Sequence, residues 1–332
     1  MNLNRFPRVR LCHSPTPLEP LKKLSQYLGG PEIWIKRDDC TGLATGGNKT
    51  RKLEFLVGEA LAQGADTLVT QGAVQSNHAR QTAAAACLHN LKCHILLERR
   101  VPGHGDSYEQ TGNVLLDRMF GSSIEYRPSG CDMNAEAEEA CRKLREQGAK
   151  PYFIPGGGSN EVGALGYVEC ALELHFQMDQ QSLVFDRLVH ATGSTGTQAG
   201  LVAGLEGIHA RLPVLGVCVR QPRQKQIDAV HALVEKTTQK LGIPEISSDT
   251  VEADDGYVGE GYGIPNEGTL EAISLLAKTE GILLDPVYSG KGMAGLIDHV
   301  RKGTFQKREK ILFLHTGGSV ALFAYEKMLV DA

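Results

Sequence analysis

The chain reads as an α/β protein of two doubly wound domains with parallel sheets, and three observations lead there. Short runs rich in Val, Ile, Leu and Thr alternate with amphipathic stretches of about ten to fifteen residues, the pattern of repeated βαβ units. Turns from strand to helix are loaded with glycine and small polar residues, as at Gly46-Gly47-Asn48 and Gly193-Ser194-Thr195-Gly196. A length of 332 residues is long for one domain and comfortable for two.

Taken in order, Pro15-Thr16-Pro17-Leu18-Glu19-Pro20 is extended or turning, because proline fixes its own φ and restricts the residue before it. A short helix around Leu21 to Leu28 and a strand from Ile33 to Arg37 follow. Apolar spacings of three and four at Leu53, Leu56, Val57, Ala60 and Leu61 predict a helix from Lys49 to about Gln63, stopped by Gly64. The next units are strand 67–70 with helix 77–88, strand 93–97 with helix 110–120, and strand 123–126 with helix 135–147. Strand 152–154 leads into Pro155-Gly156-Gly157-Gly158-Ser159-Asn160, the expected crossing between domains. The pattern then resumes with helix 162–176, strand 187–191 and a helix from about Thr197. Strand 214–219, helix 224–241, a loop holding Tyr257, Gly261 and Tyr262, helix 267–280, helix 291–300 and strand 310–314 complete it.

Composition excludes several classes of function. Charged residues make up 22% of the chain, hydrophobic residues 41%, and the net charge is −4, so no nucleic-acid partner is expected. No stretch reaches the roughly 18 apolar residues of a membrane span, and the first residues carry no apolar leader. The eight cysteines include no C-x-x-C pair and read as reduced thiols of a cytoplasmic protein. His209 and His231 lack zinc-like spacing, and no metal is expected.

Four turns could carry chemistry. Lys49 opens a helix at the positive end of its dipole, which lowers the amine's pKa, as burial would lower it further. Such a lysine suits a nucleophile or covalent anchor; the alternative is a solvated lysine beside Arg51 and Lys52. Gln75, Ser76 and Asn77 stand at another helix start and could clamp a carboxylate, or Ser76 could simply cap the helix. Gly193, Ser194, Thr195, Gly196 and Thr197 make a strand-to-helix turn suited to a phosphate, though it is neither a G-x-G-x-x-G nor a Walker A loop. The fourth set is Asp285-Pro286-Val287-Tyr288-Ser289-Gly290-Lys291 with His315-Thr316-Gly317-Gly318. There Tyr288, like Tyr262 in Gly261-Tyr262-Gly263, is either a core aromatic or a proton donor in a cleft. A phosphate loop plus an isolated lysine fits pyridoxal phosphate.

Several motifs occur in order: Ile35-Lys36-Arg37-Asp38-Asp39, Gly46-Gly47-Asn48-Lys49 with Arg51-Lys52-Leu53-Glu54, and Gln75-Ser76-Asn77-His78. The 193–197 loop, Gly261-Tyr262-Gly263-Ile264-Pro265-Asn266, Leu284-Asp285-Pro286-Val287-Tyr288 and His315-Thr316-Gly317-Gly318 follow. With these the chain resembles, end to end, the pyridoxal-phosphate enzymes of fold-type II, the tryptophan-synthase-β-like family. Within it the likeness is to the branch of D-cysteine desulfhydrase, L-cysteate sulfo-lyase and 1-aminocyclopropane-1-carboxylate deaminase. The resemblance implies a large cofactor-binding domain from residues 1–50 and 161–332 and a small α/β domain from 51–160. It makes Lys49 the Schiff-base lysine, with Asn77 on the cofactor ring and 193–197 on its phosphate. Gln75, Ser76 and Asn77 are then expected at the substrate, with Ser289 and Thr316 near the ring and Tyr262 or Tyr288 moving protons. A small amino-acid substrate and a homodimer are implied as well.

The deaminase typically carries Glu where this chain has Ser289, and Leu where it has Thr316. A hydroxyl cannot keep a pyridine nitrogen protonated as a carboxylate can, so the deaminase ranks last. The turn Thr41-Gly42-Leu43-Ala44-Thr45-Gly46-Gly47 resembles the cysteate enzyme, whereas the D-cysteine enzyme usually has Pro-Ile-Ala-Met before its glycines. Thr45, with Arg220 as countercharge, is therefore expected to favour a sulfonate. L-cysteate is the first expectation, D-cysteine the alternative, and a binding-only relative the reading from a different class.

Overall fold

Strands buried on both faces read as continuous apolar runs rather than alternations. Lys310–His315, with the sequence KILFLH, and Val214–Cys218, with VLGVC, are buried almost throughout. A computed structural model describes residues 1–102 and 105–330. Among the described residues the strands are β1 (Leu18–Pro20), β2 (Glu32–Arg37), β3 (Thr67–Ala73), β4 (Lys92–Glu98), β5 (Ser123–Arg127), β6 (Pro151–Ile154), β7 (Arg187–Thr192), β8 (Val214–Cys218), β9 (Glu252–Asp254) and β10 (Lys310–His315). They form a six-stranded sheet ordered β1-β2-β10-β7-β8-β9 and a four-stranded sheet ordered β5-β4-β3-β6. Every pairing is parallel except β1 with β2.

The helices are α1 (Lys22–Leu28), α2 (Lys49–Ala62), α3 (Asn77–Leu88), α4 (Gly112–Met119), α5 (Met133–Glu146), α6 (Glu161–Gln180), α7 (Gly196–Gly207), α8 (Arg223–Leu241), α9 (Glu267–Glu280), α10 (Ser289–Arg301) and α11 (Glu326–Val330). The predicted alternation is thus present, with three differences. β3 runs on through Gln71, Gly72 and Ala73, which the sequence placed in a turn, because these residues stay in register with Leu96, Leu97 and Glu98 of β4. The short edge strands β1 and β9 were not anticipated; each exists by pairing with a longer neighbour, and Pro20 at the edge needs no N–H partner.

The packing of α6 sets up the site. A Cβ at Gly166 of α6 would lie 2.3 Å from the Arg51 carbonyl oxygen of α2, and one at Gly200 of α7 would lie 2.3 Å from the Ala164 carbonyl. Glycine at both positions lets backbones touch, so α6 packs closely against both the helix that begins at Lys49 and the helix that begins at Gly196. A buried ionic network pins the same region. Arg51 donates to both oxygens of Asp38 at 2.8 and 2.9 Å and to both oxygens of Glu173. Lys36 also pairs with Glu173, and Tyr167 Oη donates to Asp38 at 2.6 Å. All eight cysteines are free thiols, and no helix among the described residues is long and apolar enough to cross a membrane.

Candidate active site

A cavity of about 310 Å³ opens where carboxyl ends of strands from both sheets converge. The residues just past β7, β8 and β10 (Gly193, Val219, Thr316) and past β4 and β6 (Arg100, Pro155) all line it.

Lys49 enters from the first turn of α2. Its Nζ donates to Asn48 Oδ1 at 3.0 Å, and burial pushes its pKa down to about 8 against the attraction of Asp285, with Arg80 repelling the charge further. An appreciable neutral fraction at physiological pH is what an anchoring or proton-accepting amine needs. Asn48 hands the lysine to the neighbouring turn: its Nδ2 donates to Thr197 Oγ1 at 3.0 Å. Ser194, Thr195 and Thr197 line the same wall.

The helix starts divide into two kinds. Ser76 Oγ accepts the Ala79 amide at 3.1 Å, and Asn160 and Asn266 cap α6 and α9 in the same way. Neither N-cap residue of α2 or α7 caps its helix with its own side chain. Gln81 Oε1 takes the Thr50 amide and Ser159 Oγ the Gly196 amide, and the remaining amides of the 193–197 turn are left to an anion. Lys52 completes this corner. It donates to the Gly157 carbonyl at 3.0 Å, and a Cβ on Gly196 would sit 3.1 Å from its Nζ. Burial pushes its pKa well down, with Lys49 contributing, so an anion placed here would restore its charge. The sequence signal was available: Lys49 and Lys52 are three apart on one helix face.

Tyr262 and Tyr288 also line the cavity, and their hydroxyls are 2.5 Å apart. Burial pushes both pKa values up, and Tyr288 further, because the Tyr262 phenol adds to the effect. Arg100 lies 5.7 Å over the Tyr262 ring and is paired with Glu98; its charge lowers the Tyr262 pKa and partly offsets burial. Both phenols are therefore protonated donors at neutral pH. His78 is buried and held neutral by desolvation; its Nε2 bonds Thr70 Oγ1 at 2.7 Å.

Ser76, Asn77, Gly193, Ser194, Thr195, Thr197, Arg220, Tyr262, Tyr288 and Thr316 thus face one cavity with Lys49. Four expected residues do not. Gly196 is buried in the turn, its amide donating to Ser159 Oγ at 3.1 Å. Gln75 is spent on the 108–113 segment: its Nε2 donates to the carbonyls of Tyr108 and Thr111, and its Oε1 accepts the Asn113 amide. Ser289 is buried with its hydroxyl donating to Asp285 Oδ1 at 2.6 Å, away from the cavity wall. Thr45 is exposed at φ 69°, in a turn fixed by Arg80 donating to the Gly46 carbonyl at 2.7 Å. It does not line the cavity. His315 is structural, its ring bridging the Leu283 carbonyl and the Gly317 amide.

Residues 9–317 match the family model described as pyridoxal-phosphate dependent enzyme. The chain belongs to this family. A D-cysteine desulfhydrase of Klebsiella pneumoniae subsp. pneumoniae is 48% identical over 328 residues, 99% of each chain. One from Serratia proteamaculans is 48% identical over 323 residues, 97% of each. A solved structure described as an ACC deaminase homologue superposes with a TM-score of 0.89 at 39% identity, covering 99% of this chain and 97% of that one. Fold-type II architecture and pyridoxal phosphate as cofactor follow. The geometry fits that group: an open cradle of amides with Lys52 beside it suits a phosphate, and a buried amine of lowered pKa suits an aldehyde. Lys52→Met is expected to weaken cofactor binding by about 10- to 100-fold, the loss of one charge-assisted hydrogen bond, read as a Kd by equilibrium dialysis.

Proposed function

We propose that the protein is a carbon–sulfur lyase that eliminates hydrogen sulfide from D-cysteine, with pyruvate and ammonium as the final products. The observation that carries the proposal is the placement of Lys49 and the Tyr262–Tyr288 pair in one cavity, a proton acceptor facing proton donors. The desulfhydrases 48% identical to the chain support the choice of D-cysteine. When bound, pyridoxal phosphate withdraws the electrons left on the substrate's α-carbon.

Each side chain then has a task at a stated atom. Lys49 Nζ, neutral in part, takes the α-proton. Tyr262, the less strongly raised phenol, donates its proton to the departing sulfur while Tyr288 holds it by the 2.5 Å hydrogen bond. Ser76 uses an oxygen lone pair for its helix, which leaves its O–H for the substrate carboxylate. Arg80 donates to Asn77 Oδ1 at 2.8 Å, so the Asn77 amide must present its N–H groups to the cavity.

L-cysteate, the substrate favoured by the turn 41–47, is the second reading. What favours it in the cavity is Arg100 and Arg220, two guanidinium groups on its lining that could meet a sulfonate. Supplying D-cysteine, L-cysteate and 1-aminocyclopropane-1-carboxylate separately tests the choice. Sulfide and pyruvate from D-cysteine are the expected outcome. Sulfite and pyruvate from L-cysteate with no turnover of D-cysteine would replace the first reading with the second, and 2-oxobutyrate would overturn both.

A further inference from the structure

Tyr262 rides on a loop with little backbone structure of its own. Gly259, Gly261 and Gly263 all have positive φ. The backbone bonds within the loop are the long Val258–Asp255 and Ile264–Gly261 contacts of 3.3 and 3.4 Å. Glycine-rich chain loses the most conformational freedom on ordering, so a fixed position for Tyr262 requires anchors from outside. One is Tyr325, whose Oη donates to the Gly263 carbonyl at 2.9 Å.

Tyr257 Oη donating to Asp298 Oδ2 at 2.5 Å and Asp255 Oδ2 accepting the Arg223 amide at 2.8 Å hold the start of the loop, and nearer Tyr262 the second anchor is Lys291. Its side chain is fully buried, and its Nζ donates to the carbonyls of Val258 at 2.6 Å and Gly261 at 2.8 Å. A lysine in the first turn of α10 faces the positive end of that helix and gains nothing from the dipole. Two loop carbonyls and the nearby Asp285 carboxylate make the position tolerable for a cation. The same helix start carries Tyr288 as its N-cap residue. A single rigid element therefore holds one tyrosine through the backbone and the loop of the other through Lys291.

We infer that Lys291 is a positioning residue: it clamps the 255–265 loop so that Tyr262 meets Tyr288 over the cavity. It does not line the cavity, and acts through the Val258 and Gly261 carbonyls. The inference rests on the reading of Tyr262 as the proton donor, and its test separates the two. Hydrogen exchange followed by mass spectrometry is compared between wild-type holoenzyme and Lys291→Met. Loss of two charge-assisted bonds is expected to speed exchange at least about tenfold in peptides spanning 255–265, with the sheets unchanged. In the same variant kcat is expected to fall with little change in KM.

If Lys291→Met does not fold, Lys291→Gln, which keeps one donor, is expected to give a smaller acceleration in the same peptides. Exchange over 255–265 equal to wild type in the folded variant would overturn the inference, whatever the activity. Full activity in Tyr262→Phe, alongside a loosened loop in Lys291→Met, would remove the proton-donor reading and leave the clamp standing.

Discussion

Replacing Lys49 by Ala is expected to lower kcat/KM by about 10³-fold or more, because in the proposed reaction one amine would serve as both covalent anchor and proton acceptor. The pH dependence follows from its environment. Burial, the largest influence, and Arg80 bring its pKa down to about 8, opposed by Asp285. Attachment of the cofactor to apoprotein needs the neutral amine, so the rate of covalent reconstitution should rise with pH through about 8 and then level off. The same shift has a consequence for stability. The folded pKa lies below the unfolded value, so the unfolded chain binds more protons between about 8 and 10.4. Lys49 therefore makes the apoprotein more stable as pH rises through that window. A reconstitution rate that levels off only above pH 10 would show an ordinary solvated lysine instead.

Asp38→Asn is expected to cost about 3–5 kcal/mol of stability at pH 7, since it strips a buried guanidinium of the more deeply buried of its two carboxylate partners. Asp38 is fully buried and takes two bonds from Arg51, one from Thr16 and one from Tyr167. Burial pushes its pKa up. The charge and hydrogen bonds of Arg51, with Lys36 and Tyr167, outweigh burial and hold the carboxyl below the usual carboxylate range. A folded pKa below the unfolded one contributes stability above pH ~4, lost as pH falls through the folded value. The difference between wild type and variant, measured by urea unfolding, should therefore be full at pH 7 and shrink in acid. A constant difference from pH 7 down to pH 2 would contradict this assignment. Arg51 directly follows Lys49 and Thr50, so the network also fixes the first turn of α2 and the direction from which Lys49 enters the cavity.

Much of the fold was legible because parallel strands buried on both faces leave a simple record: apolar runs between glycine-rich turns. β1 and β9 left none, since three residues gain strand geometry only from a neighbour. Residues lining the cavity were readable where a turn carries its own chemistry, as at Lys49, Ser194, Thr195 and Thr197. They were misplaced where the side chain's direction depends on distant partners. Gln75 looks like a ligand of the cavity and instead ties down the 108–113 segment. Ser289 spends its proton on Asp285. Arg51 and Lys52 resembled a wet charge run, yet both are buried: Arg51 pairs with residues 13 and 122 positions away, and Lys52 reaches Gly157 across 105. Charge runs are usually solvated faces, and nothing local distinguishes this one.

Three buried lysines here have lowered pKa values: Lys49, Lys52 and Lys291. Their settings assign them different work. Lys291 is locked between two carbonyls, Lys52 stands at the anion cradle, and Lys49 bonds only the adjacent Asn48 side chain within the cavity. Borohydride reduction of the holoenzyme followed by peptide mapping tests that division directly. The phosphopyridoxyl group is expected on the peptide containing Lys49 and, after resolution by fragmentation, on Lys49 rather than Lys52. A label on Lys52 or Lys291, or no label at all, would contradict it.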